Sequence, residues 1–403
     1  MYKQRTLENS IKKLNNQFKV LLITGARQVG KSTLLKHCDP NRSYVTLDDY
    51  KARELAINEP ELFLQRYKAP IIIDEIQYAP NLLSYIKIAA DSSDAKGQFW
   101  LTGSQQFHMM KNVTESLAGR VAVIELKGFS LKELVQEEQI PFLPTPEFIE
   151  QMRSSSTAHD LDLLGIYDII WRGSYPDLNV NSTDWNIFYK SYLQTYIERD
   201  IRELNAVKNE MDFLKFLRVL ASRTGQLLNY TDIATEIGVS SPTIKAWVSI
   251  LVSSNIIYLL QPYYSNLNKR IVKTPKVYFA DTGLCAYLTN WETALTLESG
   301  AMSGAFFETF VIGEIIKSYT HNCREAGIYY YRDKEKKEID VIIEKNGKLY
   351  PIEIKKSANP DKSMIKSFSV IPEEKRGTGA IVCLTKEDFP VMPDVNAIPI
   401  RYI

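Results

Sequence analysis

Near the N-terminus the chain reads Gly25-Ala26-Arg27-Gln28-Val29-Gly30-Lys31-Ser32-Thr33, with an apolar run before it and a helix-like segment after it. The two glycines let the main chain approach an anion closely, and the amides opening the following helix point at that anion with the helix dipole behind them. In the pattern Gly-x-x-x-x-Gly-Lys-Ser the lysine reaches the β- and γ-phosphates of a nucleoside triphosphate and the serine hydroxyl holds Mg²⁺. Lys31 and Ser32 are expected to carry those two tasks.

Three further segments supply groups for the same chemistry. APIIIDEIQYAP ends its apolar run in Asp74-Glu75, and a buried parallel strand delivers such carboxylates to the ligand-binding edge of an α/β sheet. Asp74 is expected to support the Mg²⁺ shell and Glu75 to polarise the attacking water. GQFWLTGSQQF reads as another strand, with Thr102, Gly103 and Ser104 at the end that meets the γ-phosphate or that water. ESLAGRVAVIEL puts Arg120 just before a strand. Its guanidinium there would stabilise phosphoryl-transfer charge on its own or a neighbouring subunit, or else cap the preceding helix.

A second chemistry lies in EIDVIIEKNGKLYPIEIKKS, Glu338 to Ser357. Asn346-Gly347 is a strong hairpin signal because both central residues of a type I′ turn need positive φ. Counting outward sets Ile343 opposite Tyr350, Val341 opposite Ile352 and Asp340 opposite Glu353, with Lys355 on the face of the two carboxylates. Facing carboxylates repel, and a bound cation reverses the sign of that interaction. Mg²⁺ takes one or two carboxylates plus several waters, and Lys355 would orient a hydrolytic water. Phosphodiester hydrolysis is the expected reaction. The apolar segment SGAFFETFVIGEIIKSY adds Glu308 and Glu314 on one helix, between which periodicity does not choose.

A chain of 403 residues suits two to four domains. With 45% hydrophobic residues, 24% charged and a net charge of +1, it reads as globular with no global field, so any nucleic-acid site must be a local patch. Cys38, Cys285, Cys323 and Cys383 have no Cys-x-x-Cys spacing, which argues against a zinc site or disulfide framework and for a cytoplasmic location. No signal-peptide core and no run of roughly 18 apolar residues is present, so no membrane association is expected.

IPFLPTPEFIEQMRSSSTAHD, Ile140 to Asp160, reads as a linker. Helical segments broken at Gly173-Ser174-Tyr175-Pro176 then suit a small lid over the nucleotide, with Arg172 and Arg199 either sensing phosphate or ion-paired at the surface. NYTDIATEIGVSSPTIKAWVSILVSSN has helix-turn-helix spacing, with a turn at Gly238 and Ser241-Pro242 opening the second helix. Two β-type segments follow, joined by a stretch with Lys269, Arg270, Lys273 and Lys276. The arrangement looks like a winged helix, which either enters a DNA major groove with its wing on phosphates or packs between domains.

Taken together, the Gly25–Ser32 loop, Asp74-Glu75, the Leu-Thr-Gly-Ser strand end and the Leu-Ala-Gly-Arg step resemble the AAA-type ATPases. The likeness is to a prokaryotic group whose C-terminal part is a domain of unknown function. It implies ATP and Mg²⁺ as cofactors, a sensor strand between the P-loop and Walker B strands, and Ser104 or Thr102 as sensor 1. It also makes Arg120 an arginine-finger candidate and hence a route to oligomerisation. A Gly-x-Pro step packs on adenine in related ATPases; Gly173 to Pro176 is one residue longer. Asp340 with Glu353-x-Lys355 resembles the PD-(D/E)xK nuclease superfamily, with Ile339 where the motif has proline; that resemblance selects Glu308 as the helix acid.

The expected fold is therefore α/β. It comprises a P-loop NTPase core of AAA type at residues 1–140, a linker and helical lid at 141–205, a winged helix at 206–282 and a restriction-endonuclease-like α/β domain at 283–403. The expected function is Mg²⁺-dependent ATP binding and hydrolysis, with ATP state controlling a C-terminal module that binds DNA and cleaves it. The alternative is a nucleotide-switch scaffold whose C-terminal domain binds a partner without cutting.

Overall fold

A computed structural model describes residues 2–103, 117–155, 161–196, 209–264 and 274–403. Ser104, Arg199, Lys269, Arg270 and Lys273 lie outside the described residues. The chain forms two compact units, Met1–Phe129 with Ser253–Asn255 and Thr320–Cys323, and Ser130–Val252 with Ile256–Tyr319 and Arg324–Ile403.

In the first unit the apolar runs form five strands, β1 (Val20–Thr24), β2 (Ser43–Thr46), β3 (Ile71–Asp74), β4 (Phe99–Thr102) and β5 (Val121–Glu125). They pair in parallel in the order β2-β3-β4-β1-β5. Continuous apolar sequence in β1, β3 and β4 matches strands whose every residue is buried. Leu22, Ile73, Leu101, Phe63 and Ile86 share one core, each side chain contributing about 1.5–3 kcal/mol by leaving water. Because β4 separates β1 from β3, the strand ends at Thr24, Asp74 and Thr102 line one edge of the sheet.

The second unit begins where a capping box at Ser130 and Glu133 starts the helix Leu131–Val135; the sequence expectation had run the first core to residue 140. Its helix-turn-helix segment forms helices Tyr230–Ile237 and Ser241–Ser253 around Gly238, whose φ is 89°. The second helix is capped one residue earlier than expected. Ser240 Oγ accepts the Thr243 amide, the third of the helix, since Pro242 at the second position has no amide to donate.

Eight strands follow in one sheet, β6 (Ile257–Pro262), β7 (Lys276–Phe279), β8 (Gly327–Arg332), β9 (Glu338–Lys345), β10 (Lys348–Ile354), β11 (Gly379–Cys383), β12 (Phe389–Met392) and β13 (Val395–Pro399), ordered β12-β13-β11-β10-β9-β8-β6-β7. The two strands expected of a winged helix, β6 and β7, pair antiparallel. The end of β6 also pairs in parallel with β8 through Gln261 and Tyr329, so segments read as separate domains share a sheet. That pairing covers an edge of β6 that a free-standing winged helix would expose.

Between β9 and β10 the turn has Asn346 at φ 51° and Gly347 at φ 75°, as type I′ requires. The register is the one counted from that turn, including Ile343 with Tyr350 and Val341 with Ile352. Pro351 sits opposite Ile342 without a bulge; the irregularity in this part of the sheet lies between β8 and β9, at Tyr329 to Tyr331. Ile339, Asp340, Val341, Ile342 and Ile343 are all buried, so both faces of β9 are covered. Among the described residues no helix is long and apolar enough to cross a membrane.

Candidate functional site

At the edge of the first sheet, Gly25 follows β1 with φ 142°, and a Cβ there would stand 2.1 Å from the Leu126 carbonyl oxygen, so only glycine fits. Gly30, with φ 94°, turns the chain into the helix Lys31–Cys38. Lys31 is buried and its Nζ donates to the Gly25 and Ala26 carbonyls at 3.0 and 2.8 Å, which holds the ammonium inside the curl of the loop. Ser32 Oγ donates to Asp74 at 2.8 Å, and the Thr102 hydroxyl donates to the same carboxylate while accepting the Glu75 amide at 3.2 Å. Ser32 and Asp74 thus meet across two elements and present hard oxygens of the kind Mg²⁺ takes. Glu75 has φ 58°, and its carboxylate accepts from the Gln77 amide.

Two residues of this site had no sequence signal. Tyr44 donates to Asp74 Oδ2 at 2.7 Å, with Lys36 stacked on its ring. Arg5, 3% exposed, donates to the carbonyls of Val29, Lys127 and Gly128 and so ties the phosphate loop to the chain beyond β5. Arg120 donates to Asp91 at 2.6 Å in a partly exposed pair. Any role on a neighbouring subunit exchanges that contact, one that exposed pairs hold weakly. Arg172 pairs with Asp168 one helical turn away.

The Gly173 to Pro176 break meets Asp281, which is buried. The Asp281 carboxylate accepts the Ser174 amide at 2.6 Å and hydroxyl at 2.8 Å, the Tyr189 hydroxyl at 2.7 Å and the Leu284 amide at 2.7 Å. The break is thereby committed to an internal anchor of the second unit.

In the second sheet, Asp340 and Glu353 are both buried, and Lys355 Nζ lies 2.6 Å from Glu353 Oε1 and 3.6 Å from Asp340 Oδ2. Asp340 Oδ2 also accepts the Ile354 amide at 2.8 Å. Glu353 Oε2 is buried with no hydrogen-bond partner among the described residues. The two candidate helix acids separate clearly. Glu314 accepts the Leu131 amide and the Lys317 ammonium, each within 2.8 Å, and is structural. Glu308 feels the Asp340 charge and bonds Tyr278 and Lys276. Among the described residues no three metal-ligating side chains converge into a cage, so a cation here would rest on two carboxylates and water, within what Mg²⁺ accepts.

Burial, then the neighbouring Asp340 charge, pushes the Glu353 carboxyl up to about 8, with Lys355 working the other way. For Lys355 burial opposes the charge, and Asp340 and Glu353 overcome it, holding its pKa above the ordinary lysine value. A carboxyl that binds its proton more tightly when folded lowers stability as pH rises from its unfolded to its folded pKa. Glu353→Gln removes that penalty. Its advantage over the unmodified protein is expected to be absent below about pH 4.5, to grow by up to about 1.4 kcal/mol per pH unit up to the folded pKa, and to level off above it. Urea unfolding of both proteins across pH 4–9 measures this, and a pH-independent difference would contradict the assignment.

The parallel sheet order, with the glycine loop after β1 and Asp74 at the end of β3, defines a P-loop ATPase core of AAA type. Residues 17–135 match the family model described as AAA domain, and residues 164–295 and 303–403 match two domains of unknown function, DUF8612 and DUF4143. The chain is a P-loop ATPase-like protein with a C-terminal domain of unknown function. It is similar to an uncharacterized protein of Mycobacterium tuberculosis, 27% identical over 383 residues that cover 94% of this chain and 80% of the other. An uncharacterized protein of Methanocaldococcus jannaschii is 21% identical over 397 residues, covering 90% and 80%. Among solved structures, the Walker-type ATPase of Pyrococcus abyssi is similar at 18% identity, with 72% of this chain and 96% of that one covered and a TM-score of 0.44.

Proposed function

We propose that this protein binds and hydrolyses ATP with Mg²⁺, and that its nucleotide state controls a C-terminal module that engages DNA and hydrolyses phosphodiester bonds. At the nucleotide site Lys31 contacts the β- and γ-phosphates, Ser32 and Asp74 hold Mg²⁺, and Glu75 polarises water, with the Thr102 hydroxyl linking the Asp74 carboxylate to the Glu75 main-chain amide. At the second site Asp340 and Glu353 hold the metal, Lys355 orients the attacking water and Glu308 assists. The metal, when bound, lowers the pKa of its water and draws charge from the scissile phosphate. The observation that carries the reading is the buried Glu353 Oε2 beside Asp340, without a hydrogen-bond partner among the described residues, with Lys355 in contact with both side chains. Lys355 offsets only one of the two carboxylate charges, and an apolar pair would be cheaper at such a position, so the remaining negative charge supports a cation site.

The test is nicking of supercoiled, single-stranded and branched DNA with Mg²⁺ or Mn²⁺. Cleavage is expected to vanish in Asp340→Ala while ATP binding persists; no cleavage of any substrate by the unmodified protein sinks the nuclease reading. One observation favours a switch that binds a partner without cutting, namely the lack of a third converging ligand among the described residues. Under that reading Asp340→Ala leaves partner binding and its nucleotide dependence unchanged.

A further inference from the structure

The carboxylates of the second site meet a lysine that the Asp and Glu-x-Lys pattern does not contain. Lys276, on β7, is 4% exposed. Its Nζ stands 2.5 Å from Glu338 Oε1 and 3.2 Å from Glu308 Oε1, and the Tyr278 hydroxyl donates to that same Glu308 oxygen at 2.5 Å. Glu338 precedes Asp340 by two positions on β9 and therefore shares its face, while Arg332 lies 3.3 Å from the other Glu338 oxygen. Burial opposes the Lys276 charge, and Glu308, Glu338 and Asp340 overcome it, so it stays an ammonium at every physiological pH.

Resting on the hydrolytic reading above, we propose that Lys276 is a positioning residue that occupies the place of a second metal ion, so that the site takes a single divalent cation between Asp340 and Glu353. Three observations carry this. The ammonium already engages one oxygen of Glu308 and one of Glu338, and its charge repels a cation from that side. Among the described residues the carboxylate oxygen buried without a hydrogen-bond partner belongs to Glu353, which pairs with Lys355 and not with Lys276, so the unmet demand for a cation lies at the Asp340–Glu353 pair rather than at Glu308 and Glu338. Once a bound cation displaces the Glu353 proton, the four carboxylates Glu308, Glu338, Asp340 and Glu353 face three cations of the chain, Lys276, Lys355 and Arg332. One divalent ion then leaves a single excess positive charge, the complement of one phosphodiester; a second ion would overshoot it. Glu308 is held by Lys276 and Tyr278 for orientation, outside the coordination shell.

The experiment is a calorimetric and electron-paramagnetic-resonance titration of the nucleotide-free full chain with Mn²⁺ alone, counting the ions whose binding is lost in Asp340→Asn. The unmodified protein and Lys276→Arg are expected to bind one, and Lys276→Met, which keeps the side-chain volume but frees Glu308 and Glu338, to bind two. An unmodified protein that binds two overturns the role of Lys276 and leaves the hydrolytic reading standing. One that binds none overturns both. A folded Lys276→Met that still binds one overturns the role of Lys276 alone, and the count in the unmodified protein decides the matter even where that variant fails to fold.

Discussion

Lys31→Ala is expected to weaken ATP binding by about a hundredfold or more. Charge-assisted hydrogen bonds are worth about 1.5–3 kcal/mol each, and an ammonium reaching two phosphates makes two of them, which converts to a loss of roughly two to four decades in affinity. The position is prepared for that task. Nζ is held within the loop by two main-chain carbonyls, Gly25 and Ala26, at 3.0 and 2.8 Å, so the ammonium already sits where the loop would meet a phosphate. Alanine removes the charge without touching the glycine positions that shape the curl, so the fold of the first unit is expected to survive. Fluorescent-nucleotide titration together with a thermal melt measures both, and an affinity within threefold of the unmodified protein would overturn the assignment of Lys31.

Asp281→Ala is expected to have the largest effect on stability, about 4–8 kcal/mol, enough to unfold much of the second unit at 37 °C. The buried carboxylate accepts four hydrogen bonds from Ser174, Tyr189 and Leu284. Leaving a buried donor unmade costs about 1–3 kcal/mol each, and here the Tyr189 hydroxyl and Leu284 amide bonds are buried while the two from Ser174 are partly buried. Gly173 lies so close that a Cβ there would stand 2.3 Å from the Tyr189 hydroxyl and 2.7 Å from Asp281 Oδ1, so the network packs directly on the main chain at a position only glycine fits. Asp281→Asn keeps one acceptor oxygen and is expected to fall between the two. Denaturant unfolding followed by tryptophan fluorescence, which samples Trp171 and Trp185 stacked in the same unit, checks the series; a loss under 1 kcal/mol for alanine would contradict the network.

Much of this could be read before any tertiary contact was known. The Asn346-Gly347 pair dictates its turn through backbone sterics, and the period of two in the flanking residues then sets Ile343 against Tyr350 and Val341 against Ile352, the last pair before Asp340 and Glu353. The glycine loop and the continuous apolar strands of the first unit are equally local signals, because dihedral preference and burial pattern are written in consecutive residues. The choice between Glu308 and Glu314 was not legible this way. Both lie on a helix that is apolar nearly all round, and only the partner each meets, Tyr278 and Lys276 or the Leu131 amide and Lys317, separates them.

The sequence by itself determined the local geometry, namely the phosphate-binding curl at Gly25 to Ser32, the hairpin register, and the residue types offered to each site. Tertiary structure alone decided which distant groups complete those sites. Arg5 on the phosphate loop, Tyr44 on Asp74, Lys276 between Glu308 and Glu338, and the joining of β6 to β8 are all contacts across long sequence separations. No periodicity encodes such contacts, because which elements pack together depends on the summed burial of whole faces rather than on any stretch of chain.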